Sequence, residues 1–231
     1  MQKLFSTVTL CFLTVLAHAQ TSIKAGTVQL GGGLGYSQQI RDIPQSISNG
    51  SGYVNITEHT ELKSFYISPM GGYFVADNLA VGVSLGYNSD KTVYSYDTSL
   101  ITRSEQHSNQ FGIGAFVQYY QMLTEQFGLT GTLNAGYNHN KQEFTSVNSA
   151  YNRVGNGFSA AITPSIVFFP VPKFALGASV GSVRYDYSTS KPTESGTGFV
   201  GFSDEASTGS FFGASFGLNY LAFSGTYFLG R

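Results

Sequence analysis

The chain has 231 residues, a formal net charge of -1 and only 11% charged residues, where soluble domains carry about 25%. That balance excludes nucleic-acid binding, which needs a clustered positive surface, and it leaves few charges to dress a water-facing wall. The length fits one large all-β domain or two small ones.

The chain opens on a predicted secretory signal peptide, residues 1–19. Lys3 gives a positive start, Leu4 to Leu16 is mostly apolar, and Ala17-His18-Ala19 is a small-x-small cleavage pattern. The run falls short of the roughly 20 apolar residues a spanning helix needs. Cys11, the single cysteine, lies inside it, so the processed chain is expected to have no disulfide and no thiol chemistry. Beyond it Gly, Ser, Asn or Thr interrupts every apolar run.

Alternating segments follow in order. Val28 to Tyr36 reads VQLGGGLGY and Leu79 to Tyr87 reads LAVGVSLGY; Leu129 to Tyr137 and Phe174 to Ser182 repeat the pattern at about 50-residue steps. Between them Phe65 to Tyr73, Phe111 to Tyr119 and Phe158 to Phe168 alternate likewise, and a last segment runs from Phe212 towards Tyr227. Short turns are expected near Asp77-Asn78, Thr124-Glu125 and Pro170 to Lys173. Long polar segments, roughly 38–61, 89–108, 139–156 and 186–208, are expected as loops. Short and long connections in strict alternation predict an eight-stranded antiparallel up-and-down barrel over residues 20–231, with all long loops at one end. Pro69 and Pro164 predict a bulge or bend. The last strand changes phase, which predicts a bulge near Tyr220.

Which face meets which solvent is read from the second face of each strand. Leu79, Val81, Val83 and Leu85 share one side; Ala80, Gly82, Ser84 and Gly86 share the other. A lipocalin-like soluble barrel would carry Lys, Glu and Asp on its outer wall. Here the second face is small, as a narrow lumen requires, so Leu79, Val81, Val83 and Leu85 are expected to face lipid. Tyr36, Tyr87 and Tyr137 at one height, and Tyr73, Tyr119, Phe168 and Tyr227 at the other, read as the aromatic belts of two bilayer interfaces. The fold expected is a transmembrane β-barrel.

The run ISPMGGYFVADNLAVGVSLGY resembles the strand-turn-strand hairpin of the bacterial outer-membrane β-barrel family, the small eight-stranded OmpA/OmpX-like barrels. The resemblance implies residence in the outer membrane of a Gram-negative envelope, surrounded by outer-membrane lipid. It also implies periplasmic chaperones and the barrel-assembly machinery as partners in biogenesis. Such barrels usually end on an aromatic residue; this chain ends Tyr227-Phe228-Leu229-Gly230-Arg231, with the aromatics a few places early. No peptidoglycan-binding domain is expected after the barrel.

Some barrels of this family modify lipids, and such chemistry needs a histidine and a serine on one face. His59, His107 and His139 fall in or beside the long polar segments. His107-Ser108 is the sharpest pair, but adjacent residues on a strand diverge to opposite faces, whereas a catalytic pair needs to share one. Gly31-Gly32-Gly33 precedes no helix and so cannot cradle a phosphate. The acids Asp42, Glu58, Asp90, Asp97, Asp204 and Glu205 show no calcium-loop spacing. No cofactor or metal is expected. An eight-stranded lumen is just wide enough for side chains, and no charge is expected on the inner face of the central strands. The function expected is therefore non-enzymatic: an integral outer-membrane barrel anchoring four surface loops for envelope structure, adhesion or contact with an external ligand whose nature the sequence leaves open. The alternatives are a lipid A deacylase-like or acyltransferase-like enzyme, or a small diffusion channel.

Overall fold

The computed structural model describes residues 22–48, 52–98, 103–146, 149–195, 205–218 and 221–231; the expected signal peptide lies outside them. The described residues form ten strands: β1 Val28–Ser48, β2 Tyr53–Ala76, β3 Leu79–Tyr96, β4 Ser104–Met122, β5 Phe127–Ser146, β6 Ser149–Val171, β7 Phe174–Ser179, β8 Gly181–Ser195, β9 Ser207–Phe216 and β10 Ala222–Leu229. β1 to β7 pair antiparallel in chain order, β6 also pairs with β8 and β8 with β9, and β10 lies between β7 and β1, closing the ring. β7 with β8, and β9 with β10, are two halves of single staves. The result is the expected eight-staved up-and-down barrel.

The two interrupted staves break side by side. Val180 stands between β7 and β8, and the register of β6 slips there, from Ile162↔Val183 to Ser165↔Ser179. Pro164 lies in that gap, where its missing N–H costs no ladder bond to this neighbour. Across from Val180, β9 ends at Phe216 and β10 begins at Ala222, with the Gly217 amide donating to the Val180 carbonyl at 2.9 Å. The bulge expected near Tyr220 falls on residues outside the described ones. Pro69 behaves differently from Pro164. The β2–β3 ladder skips Ser68 and Pro69 but resumes in the same register at Met70↔Ser84, so proline opens the ladder there without shifting it.

Closure is uneven along the barrel. β1 pairs with β10 from Val28↔Leu229 to Gly32↔Gly225. Above Gly32 it pairs with β2 alone, as β9 pairs with β8 alone. Among the described residues no ladder joins β1 to β9, and the exposed side chains of Leu34, Tyr36 and Phe212 flank that stretch of the wall.

Over most of their described residues the long polar segments are strand rather than loop, which corrects the sequence reading. The β1–β2 ladder runs unbroken from Val28↔Tyr73 to Ser48↔Tyr53, β3–β4 reaches Tyr94↔Ser104, and β5–β6 reaches Ser146↔Ser149. Their Thr, Val, Tyr and Ile content favours strand. With polar residues on both faces, hydropathy shows no period of two, and the ladder extends unseen by that signal.

Side chains plug the turn end. Ile23, Phe74, Tyr120, Met122, Phe169 and Phe228 are all buried and form one cluster. Phe169 and Phe228 meet at 5.4 Å between centroids and Phe74 and Tyr120 at 5.5 Å. Each such side chain contributes about 1.5–3 kcal/mol by leaving water. The Arg231 guanidinium caps the plug 3.8 Å from the centre of the Phe169 ring. Ile23 arrives from the segment before β1, fixed to the β2–β3 turn: its amide donates to Asn78 Oδ1 at 2.8 Å, and Asn78 adopts the left-handed φ of 64° that asparagine tolerates.

Candidate functional site

The inner faces of the strands build the site from the plug upward. Gln29, fully buried, donates through Nε2 to Gln118 Oε1 at 2.9 Å, and the Tyr120 hydroxyl lies 2.9 Å from Gln29 Oε1. Above them the Phe116 ring lies along the inner wall over Gly82 of β3 and Gly72 of β2. Then the inner face turns polar. Asn134 Nδ2 donates to Ser84 Oγ at 2.8 Å and Asn138 Nδ2 to Ser159 Oγ at 2.9 Å, beside a cavity of about 310 Å³.

A second cavity, of about 360 Å³, opens above the first and shares Asn138 with it. β5 places Asn138, Asn140 and Gln142 along one wall, two residues apart and so on one face. β6 contributes Arg153 and β8 contributes Arg184 and Asp186. Arg184 Nε donates to Asp186 Oδ2 at 2.6 Å, and its guanidinium also lies 5.9 Å from the Phe211 ring centre. Arg153 has no hydrogen-bond or ion-pair partner among the described residues, and its Nε is buried. Charge therefore stands on the inner face of β8, beyond the central strand segments for which none is expected: Arg184 pairs across the ladder with Ala161 and Asp186 with Ser159, level with apolar outer residues such as Ile162 and Phe158. The signal for this site was present as the period-two run Asn138, Asn140, Gln142. It was masked because residues 139–156 read as a loop.

The outer face carries a band of constant height. Phe65 to Tyr73, Leu79 to Tyr87, Phe111 to Tyr119 and Leu129 to Tyr137 present their apolar sides outward. Tyr36, Tyr73, Tyr87, Tyr119, Tyr137 and Tyr227 are exposed there, and Phe168 is half-buried against Phe127 at 4.7 Å. Val81, Val83 and Leu85 are exposed on the same face, and Leu79 is half-buried.

Directly above the band the outer face becomes charged, at one level around the wall: Lys63 stands opposite Lys91, Lys91 opposite His107, and His107 opposite Glu143. Lys63 pairs with Glu61 at 2.8 Å, Lys91 with Glu105 at 3.1 Å and Lys141 with Glu143 at 2.5 Å. The hydrogen bond from each lysine holds the partner carboxyl below the usual glutamate range, and Glu61 in turn raises Lys63. These groups are exposed, so the pairs add little stability; their consequence is a hydrophilic girdle.

The histidines sit within or beside this girdle. His59 Nδ1 lies 2.7 Å from Asp42 Oδ1, and His139 Nδ1 2.8 Å from Asn156 Oδ1. His107 Nε2 faces Glu105 at 3.7 Å on the outer side, while Ser108 is turned inward by the alternation. Among the described residues no serine hydroxyl bonds an imidazole nitrogen, and no group of three His, Cys, Asp or Glu side chains gathers to hold a metal.

No protein-family model matches the chain, and no curated protein matches it. Among solved structures it is similar to the outer membrane protein OprG from Pseudomonas aeruginosa, with 12% identity over 90% of this chain and 98% of that one, at a TM-score of 0.48. It is also similar to Ail, the attachment invasion locus protein of Yersinia pestis, with 14% identity over 89% and 99% of the two chains, at a TM-score of 0.38. The eight-staved barrel stands on the ladder of this chain itself.

Proposed function

We propose that the chain is an integral outer-membrane β-barrel protein, non-enzymatic, whose apolar band sits in the bilayer and whose extended hairpins stand outside the cell as a contact surface. The observation that carries the reading is the band. Its outward apolar residues span about nine positions per strand, bounded by tyrosines at both ends and by the Lys63–Lys91–His107–Glu143 girdle above. About 9–11 tilted residues cross the hydrocarbon of a bilayer. Monomeric soluble proteins rarely expose contiguous apolar patches beyond a few hundred Å², yet here Leu30, Val83, Ile113, Leu133, Ile162 and Leu176 are all exposed around the wall. No helix among the described residues is long and apolar enough to cross a membrane; the crossing proposed is by strands.

The aromatic plug supports a non-conducting barrel, and the absence of any serine–histidine contact among the described residues weighs against a hydrolase. The test is to fold residues 20–231 with detergent or lipid, and to compare unheated and boiled samples on a gel beside far-UV circular dichroism. A heat-dependent mobility shift with a β spectrum, only when amphiphile is present, is the result expected, with no steady conductance in planar bilayers and no change in lipid A acylation. A stable monomeric β fold in plain buffer would overturn the reading.

A further inference from the structure

We propose that the upper cavity of the lumen binds a small acidic saccharide, a hydroxylated ring bearing one carboxylate, with Arg153 holding the carboxylate. The cavity, at about 360 Å³, lies in the roughly 300–1,000 Å³ range of small-molecule sites. Its charges are unequally settled. Arg184 is paired with Asp186, whereas Arg153 has no partner among the described residues and keeps a buried Nε. A buried guanidinium nitrogen without an acceptor carries a desolvation penalty that a bound acceptor removes. The planar fork of arginine matches the two oxygens of a carboxylate.

The rest of the lining selects what the carboxylate is attached to. Asn138, Asn140 and Gln142 each present a donor and an acceptor, as hydroxyl groups of a sugar ring require. Gly155 leaves the room that the Asn140 side chain occupies: a Cβ at that position would collide with its Oδ1. Two guanidiniums and one carboxylate give the cavity one net positive charge, suited to a monoanion; Asp186 would repel a dianionic phosphate. One step further out on the same inner face, Phe144 and Tyr151 stack at 5.5 Å and offer an apolar edge to a ring.

Isothermal titration into the purified barrel, folded in micelles, tests this with sodium glucuronate, glucose and sodium sulfate. Glucuronate is expected to bind, with glucose weaker by tenfold or more. Arg153→Gln is expected to weaken glucuronate by about tenfold or more, the loss of one charged hydrogen-bonded contact. Arg153→Lys, which keeps the charge without the fork, should fall between. Lys173→Gln makes the same charge change at the far end of the barrel and should leave binding unchanged. No glucuronate binding, binding indifferent to Arg153→Gln, or sulfate bound as tightly as glucuronate would each overturn the inference. A barrel that is heat-modifiable but does not bind would overturn it while leaving the membrane reading in place.

Discussion

The ring of Phe116 crowds Gly82 from the next stave: a Cβ built there would stand 2.7 Å from Phe116 Cζ, and closer still to the Gly71 carbonyl oxygen of β2. β4 contributes the ring and β3 the vacancy, so a small residue on one stave and a large one on the next fill the lumen between them. Gly82→Val is therefore expected to overpack the lumen at a cost of about 1–3 kcal/mol, and Phe116→Ala to leave a cavity at about 3–5 kcal/mol. The double substitution should recover only the part of the Gly82→Val cost that comes from the ring, because the β2 backbone at Gly71 and Gly72 still crowds the new side chain. Urea unfolding of the barrel in lipid vesicles measures all three. Strict additivity would show that the two residues do not share this space.

Val83 is 60% exposed at the middle of the apolar band. Val83→Arg is expected to destabilise the vesicle-inserted barrel by about 2–4 kcal/mol, the cost of a cation at the bilayer midplane. Lys91→Val, eight residues on along the same strand and face but in the charged girdle, should change stability by less than about 0.5 kcal/mol. Equal effects at the two positions would remove the case that the band is a lipid-facing surface.

Gly181 starts β8 at a φ of 134°, and a Cβ there would collide with the Ser215 carbonyl of β9. Backbone in this region is strained for any other residue, at about 1–3 kcal/mol. Gly181→Ala is expected to loosen the β8–β9 ladder from its lower end. Amide hydrogen exchange should then accelerate at Val183 and Ser215 before it changes at β2 or β3. Unaltered exchange in β9 would mean that the wall accommodates the methyl group by moving elsewhere.

The barrel was legible wherever apolar and small residues alternate. Leu79 to Tyr87 fixes strand, face and turn at once, because one face must avoid water and the other must fit a lumen. The same ladder continues through Lys91, His107 and Glu143 with nothing apolar to mark its period, so these strands read as loops. That single misreading hid the inner-face site, since Arg153 and Asn140 acquire a shared face only if β5 and β6 extend past Tyr137. The prolines divide for a geometric reason. Pro164 sits where its neighbouring stave is already broken at Val180, while Pro69 lies beside an intact β3, and nothing in either tripeptide distinguishes the two.

Asp77, in the turn between β2 and β3, holds the segment that carries Ile23 into the plug. Its carboxylate accepts from Lys24 Nζ at 2.9 Å and from the Ala25 amide at 3.0 Å. Those bonds, the Lys24 one foremost, hold its pKa below the ordinary aspartate value. A carboxyl whose folded pKa is depressed stabilises the fold above its unfolded pKa and loses that contribution as pH falls through the folded one. The tie is thus expected to be complete at neutral pH and to fail only below about pH 4. The Ile23 amide is bonded to the side chain of Asn78, which does not titrate. Exchange protection of the Ala25 amide should therefore fall in acid while that of Ile23 is retained further. Asp77→Asn should flatten the pH dependence at Ala25 and leave Ile23 nearly unchanged. If both amides lost protection together, the segment would be released as one unit, and Asp77 rather than the buried Ile23 side chain would be what keeps it under the barrel.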